Sequence, residues 1–165
     1  MGREYTLTEA ISLAIKAEKD SMDFYRRAAS VAKIERARQV FELLANEEIA
    51  HLKAFFSHYK GTEFVDVTAC INAPVDKKNP TYMKLEKAIC EDMPEQVALE
   101  LALIEEKDCI SQYTQLAKGV VDPGVRAVFQ SIVRETERHY ALIESEYAHL
   151  MGMVHESDQD IFVRE

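Results

Sequence analysis

The chain has 165 residues, enough for one domain with its own core, since single domains run ~100–200 residues. Apolar residues make up 47% of it, which argues against an intrinsically disordered chain. With 29 acidic side chains against 20 basic ones and a formal net charge of −9, the surface repels phosphate, so neither nucleic acid nor an anionic membrane is expected as a partner.

Five glycines and four prolines punctuate long stretches of helical period. The N-terminal residues have no apolar signal-peptide core. The first helix opens on Thr6-x-x-Glu9, a capping-box pattern, and runs to about Ala32. A second runs from about Ile34 to Gly61, a candidate helix-ending glycine. Residues 62–93 form one long connection, with a shorter helix expected after Asn79-Pro80. A third long helix starts near Pro94 and ends at Gly119. The fourth starts at Asp122-Pro123, an N-cap followed by a proline in the first turn, and is expected to end near Gly152. The bundle is assigned to residues 1–154, and residues 155–165 read as a polar tail. No apolar run approaches the roughly 18 residues a membrane span needs. Cys70, Cys90 and Cys109 form no Cys-x-x-Cys pair, which argues against a disulfide framework or a thiolate zinc site and for a reducing cytoplasm.

Shifted against itself by 88 residues, the chain matches without a gap. Glu18-Lys19-Asp20 falls on Glu106-Lys107-Asp108, Tyr25 on Tyr113, Arg38 on Arg126, Val40-Phe41 on Val128-Phe129, Glu47 on Glu135, and His51 on His139. A repeat at fixed offset marks a duplicated supersecondary unit, here a helical hairpin. Two such hairpins joined by a long crossover between helices 2 and 3 predict an all-α, ferritin-like four-helix bundle.

Polar residues interrupt the apolar stripes. Glu18 lies among Ile11, Ala14, Ile15, Met22 and Tyr25, and Glu106 among Leu99, Ala102, Ile110 and Tyr113. Glu48 and His51 fall within Val40, Phe41, Leu44, Leu52 and Phe55, and His139 within Phe129, Ile132 and Ile143. A buried ionised carboxylate costs several kcal/mol unless it is paired or metal-bound. A lone stripe Glu or His is usually a boundary or hydrogen-bonded core residue. Three Glu and two His near the midpoints of antiparallel helices converge on one level, and that predicts a cation site. Glu48-x-x-His51 places both side chains on one helix face.

In these features the chain resembles the rubrerythrin-like branch of the ferritin-like di-iron proteins. The resemblance spans about residues 5–150 and rests on Ala17-Glu18-Lys19 through Phe24-Tyr25, Glu47-Glu48-Ile49-Ala50-His51, Glu105-Glu106-Lys107 through Tyr113, and His139. It implies two iron ions bridged by carboxylates and reacting with hydrogen peroxide or dioxygen. It makes Glu18 and Glu106 terminal or bridging ligands, Glu48 a bridge, and His51 and His139 the nitrogen ligands. Tyr25 and Tyr113 would be partners of the carboxylates or ordinary core aromatics. It also implies an external electron donor such as a rubredoxin, since no rubredoxin-type domain follows, and association as a homodimer. An oxygen-rich site with few imidazoles suits iron, with zinc or manganese as alternatives.

Two positions depart from the pattern. The second Glu-x-x-His would need Glu where Thr136 stands, and the extra third-helix Glu of rubrerythrins is Cys109. Glu135 could swing inward to fill the gap at Thr136 and is counted among the candidate metal ligands with Glu18, Glu48, His51, Glu106 and His139, although the repeat pairs it with Glu47, which reads as a neighbour of a ligand. Water or the Thr136 hydroxyl is the remaining alternative. Three functions stay open: a peroxide- or dioxygen-consuming oxidoreductase, an iron- or zinc-binding protein without turnover, and a dimeric bundle with a degenerate site.

Overall fold

The computed structural model describes residues 5–92 and 94–162, with side chains through residue 152. Every element among these residues is helical: α1 (Leu7–Val31), α2 (Glu35–Phe56), α3 (Val67–Asn72), α4 (Pro80–Cys90), α5 (Pro94–Gly119) and α6 (Pro123–Phe162). α1 pairs with α2 and α5 with α6 as two extensive hairpins, which meet along α1/α5 and α2/α6. This is the duplicated-hairpin bundle that the repeat implies. The crossover carries α3 against α2 and α4 against α5 and α1.

Local signals explain most helix boundaries. The Thr6 hydroxyl accepts from the Glu9 amide at 3.2 Å, and the Glu9 carboxylate accepts from the Thr6 amide at 2.9 Å, closing the capping box. Asn79 caps α4 ahead of Pro80, and the Asp122 carboxylate accepts from the Val125 amide at 3.0 Å in the first turn of α6. α3 is an element the sequence did not reveal; its N-cap is Asp66, which accepts from the Ala69 amide at 2.7 Å.

Two expected ends differ. α2 stops at Phe56, well before Gly61, because the chain folds back there: the Tyr59 hydroxyl accepts the amides of Glu63 and Phe64 at 2.8 and 3.1 Å. Gly61 serves this close approach, since a Cβ on it would lie 2.6 Å from the Tyr59 hydroxyl and 2.8 Å from a Thr8 methyl. α6 does not end near Gly152, which keeps a helical backbone; a mid-helix glycine costs only about 1 kcal/mol relative to alanine. The stretch read as a tail from His155 is therefore helical in backbone through Phe162, and residues 163–165 lie outside the described residues.

The core divides into two apolar clusters. One gathers Ile11, Ile15, Met22, Leu52, Phe55, Tyr113 and Phe129; the other gathers Phe24, Tyr25, Phe41, Leu44, Leu85, Leu99 and Ile143. Between them lies a layer of buried polar side chains, Glu18, Glu48, His51, Glu106, Thr136 and His139.

Candidate metal centre

The five convergent carboxylate and histidine side chains of the layer are buried, none more than 6% exposed. α1 supplies Glu18, α2 supplies Glu48 and His51, α5 supplies Glu106, and α6 supplies His139. The Nδ1 of His51 lies 3.4 Å from a Glu18 oxygen and 3.8 Å from Oε2 of Glu48. The Nδ1 of His139 lies 3.6 Å from Oε1 of Glu48 and 3.9 Å from a Glu106 oxygen. The two oxygens of Glu48 thus face two different histidines. Two sets result, Glu18–Glu48–His51 and Glu48–Glu106–His139, each with ligand atoms within 4.8 Å of one another and both sharing Glu48.

The donor atoms fit cations. Glu18 Oε2, His51 Nδ1 and His139 Nδ1 are buried without a hydrogen-bond partner. Such orphans are rare in native interiors and cost about 1–3 kcal/mol or more each. Glu18 Oε2 and His51 Nδ1 lie 3.4 Å apart and both histidine Nδ1 atoms lie near Glu48, so shared coordination would remove all three penalties at once.

The remaining lone pairs are held by a symmetric pair of tyrosines. Tyr25 donates to Glu106 Oε1 at 2.5 Å, and Tyr113 donates to Glu18 Oε1 at 2.9 Å. Each tyrosine serves the carboxylate of the other hairpin, since seven residues along its own helix is about 10.5 Å, out of reach. Both phenols are pushed well above their ordinary pKa, by burial and then chiefly by the carboxylates beside them, so they stay donors at neutral pH.

The ionisation states follow from crowding. Burial raises Glu48, and the neighbouring Glu18 charge lifts it further, well above the ordinary carboxylate range. Burial also opposes the charge on Glu18, yet the adjoining Glu48, the facing His51 and the hydrogen bond from Tyr113 hold its pKa below the ordinary value. Burial lowers His51, but its contacts with Glu18 and Glu48 dominate and raise it to about 11. Burial lowers His139, and the positive His51 adds to the effect. Glu106 rises to about 7 through burial and the Glu18 charge, against the Tyr25 hydrogen bond. Without cations, protons on Glu48 and His51 stand in for the missing positive charge.

Glu135 is placed on the far side of His51, 2.7 Å from Nε2 and 39% exposed, rather than among the inward donors. Glu47, its counterpart in the repeat, lies 3.8 Å from Nε2 of His139. Thr136 is buried, and its hydroxyl donates to the Ile132 carbonyl at 2.8 Å. Of the histidines read as surface residues, His149 is exposed, His58 is half-buried, and His155 lies outside the described side chains. Two surface grooves, one lined by Lys118, Arg126 and Arg134 and one by Ser12, Lys16 and Gln112, include none of the layer's residues.

The rubrerythrin family profile matches residues 9–147, which hold all of these groups. The chain belongs to the rubrerythrin family. No curated protein and no solved structure matches it. Rubrerythrin membership accounts for a carboxylate-and-histidine layer inside a helical bundle. Cys109, in place of the extra third-helix carboxylate, is half-buried; burial and the charges of Glu18, Glu48 and Glu106 push its pKa far up, so it remains a neutral thiol. It joins none of the ligand sets found among the described residues.

Proposed function

We propose that the chain is a rubrerythrin-like oxidoreductase that reduces hydrogen peroxide, or dioxygen, at a pair of iron ions. Glu18, Glu48 and His51 would hold one ion, and Glu48, Glu106 and His139 the other. The observation that carries this reading is the presentation of Glu48, whose two oxygens face the two histidines separately and so suit a bridging carboxylate. Two ferrous ions held there would supply the two electrons that turn peroxide and two protons into two waters.

The protein's own contribution is arrangement. Tyr113 holds Glu18 Oε1 and leaves Oε2, the oxygen nearest His51, free to coordinate, while Tyr25 holds Glu106 Oε1, the oxygen nearest His139, and fixes that carboxylate in place. Glu135 would accept the Nε2 proton of His51, so that Nδ1, once a cation displaces its own proton, faces inward as the ligand. The two apolar clusters exclude water from both ends of the layer. Electrons would return from a separate carrier of the rubredoxin kind.

The chain should be loaded anaerobically with two equivalents of ferrous iron and given one equivalent of peroxide. Oxidation of both irons, much faster than that of free ferrous iron, is expected, and in the Glu48→Ala variant the two-iron uptake should be lost. Equal rates with and without the protein would overturn the reading. Thr136 and Cys109, standing where the family pattern has carboxylates, favour a second reading: a metal-binding bundle without turnover. In that case iron binds but peroxide oxidises it no faster than in solution.

A further inference from the structure

The outward side of the two imidazoles carries a donor set of its own. The rings of His51 and His139 stack with centroids 5.5 Å apart and planes 18° from parallel, forming a partition between the buried carboxylates and the surface. Their Nδ1 atoms face inward, while Nε2 of His51 meets Glu135 and Nε2 of His139 faces Glu47. Glu47, 42% exposed, offers an oxygen within 4.8 Å of a ring nitrogen on each histidine, making a third set, Glu47–His51–His139.

Its spacing distinguishes it from the Glu135 contact. Glu135 is hydrogen-bonded to His51 at 2.7 Å, whereas Glu47 stays 3.8 Å from His139, too far for a hydrogen bond. Two donors each about 2.1 Å from one tetrahedral cation lie about 3.4 Å apart, so the Glu47 gap is close to what a shared ion needs. Two imidazoles and one carboxylate, with the remaining position open to water, is the donor set of open zinc sites and of non-haem ferrous centres.

We propose that Glu47, the outward Nε2 of His139 and, once Glu135 gives up its hydrogen bond, the Nε2 of His51 form a second, solvent-facing metal site that takes one divalent cation on its way to the buried layer. A neutral imidazole has a single lone pair. A ring that gives Nε2 to an outer ion carries its proton on Nδ1, and an inner ion requires the reverse. Outer and inner occupancy therefore exclude each other at these rings, and the outer ion leaves as the inner positions fill. The site itself stands on the outward geometry alone; its place on the route inward rests on the reading of the buried layer as a metal centre.

Co2+ serves as the probe, because its visible absorption reports coordination by imidazole and carboxylate. The Glu48→Ala variant, with the shared inner carboxylate gone, should bind one Co2+ with such a band. Adding Glu47→Ala should weaken that binding by at least about tenfold, since even an outer partner of a ligand is worth 10–100-fold. If Glu48→Ala does not fold, the Glu18→Gln, Glu106→Gln pair removes one carboxylate from each inner set and serves the same purpose. In wild-type protein the band should appear early in a titration and vanish once two equivalents of ferrous iron are loaded. No Co2+ binding in either inner variant, or binding unaffected by Glu47→Ala, would overturn the outer site. Neither result bears on whether wild-type protein takes up two irons and reacts with peroxide.

Discussion

At the scale of single residues the two halves of the centre differ mainly in what lies behind each ligand. His51 is anchored by Glu135 at 2.7 Å, while His139 has no comparable bond to Glu47 at 3.8 Å. Outer partners of this kind set ring orientation and tautomer and are worth 10–100-fold in metal affinity. Glu135→Ala should therefore weaken binding of the first cation by roughly that factor, with Glu135→Gln recovering part of it. A metal titration that does not distinguish the three proteins would remove Glu135 from this role. Thr136 bears on the second cation. Three carboxylates bring −3 against +4 from two divalent ions, so a bridged pair is left at +1 where a fourth carboxylate would neutralise it. The ion on the His139 side should bind more weakly, and Thr136→Glu should tighten it and raise occupancy toward two per chain. Thr136 is fully enclosed, so the same change should also lower the melting temperature of the metal-free protein. Unchanged stoichiometry and affinity in Thr136→Glu would show that another group already supplies the charge.

At the scale of helices, one long-range contact closes an end of the bundle. Ile34 precedes α2 without a side-chain cap. Glu95, in the first turn of α5 and 8% exposed, instead accepts the amides of Lys33 and Ile34, the latter at 3.1 Å. It thereby ties the start of one hairpin to the turn of the other. Glu95→Ala should cost about 1–3 kcal/mol, read as a lower denaturation midpoint with metal absent, while an exposed change such as Glu91→Ala should cost little. Equal midpoints for the two variants would dispose of the clamp. This contact shows where the sequence stops being legible. The four long helices, their pairing and the level of the polar layer could be read from the offset repeat and from stripes broken at Glu18, Glu48, Glu106 and His139. Glu95 could not, because nothing local distinguishes it from any first-turn acid. Nor does identity in the repeat guarantee identity of role: Arg126 bends back onto the Val120 carbonyl at 2.6 Å, while its counterpart Arg38 pairs with Glu35. Likewise Glu47 and Glu135 match in sequence, yet their distances to the facing imidazoles differ by enough to separate a hydrogen bond from a gap.

Over the whole molecule, the buried layer couples stability to protons and cations. Several of its groups bind protons more tightly folded than unfolded: Glu106, raised to about 7, His51, raised to about 11, and Glu48, raised well above its ordinary value. Each contributes stability at low pH that is lost as pH climbs from the unfolded pKa through the folded one. For Glu106 that window runs from 4.5 to about 7, and for His51 from 6.5 to about 11. Glu18 and His139 are lowered, so each contributes stability that is lost as pH falls, below 4.5 for Glu18 and below 6.5 for His139. Above about pH 6.5 no group of the layer gains, so the metal-free melting temperature should fall steadily from there to pH 9. Surface repulsion in a chain of net charge −9 pushes the same way, so the metal-free curve alone does not isolate the layer. The difference between loaded and metal-free protein does. Cations displace the protons on Glu48 and His51, so their affinity and the stabilisation they give both rise with pH. The gap in melting temperature between protein with saturating metal and protein in chelator should widen from pH 6.5 to 9, and Glu48→Ala should flatten it. Parallel melting curves for the two wild-type forms across that range would mean that the layer binds metal without releasing protons, which buried groups with these raised pKa values do not allow.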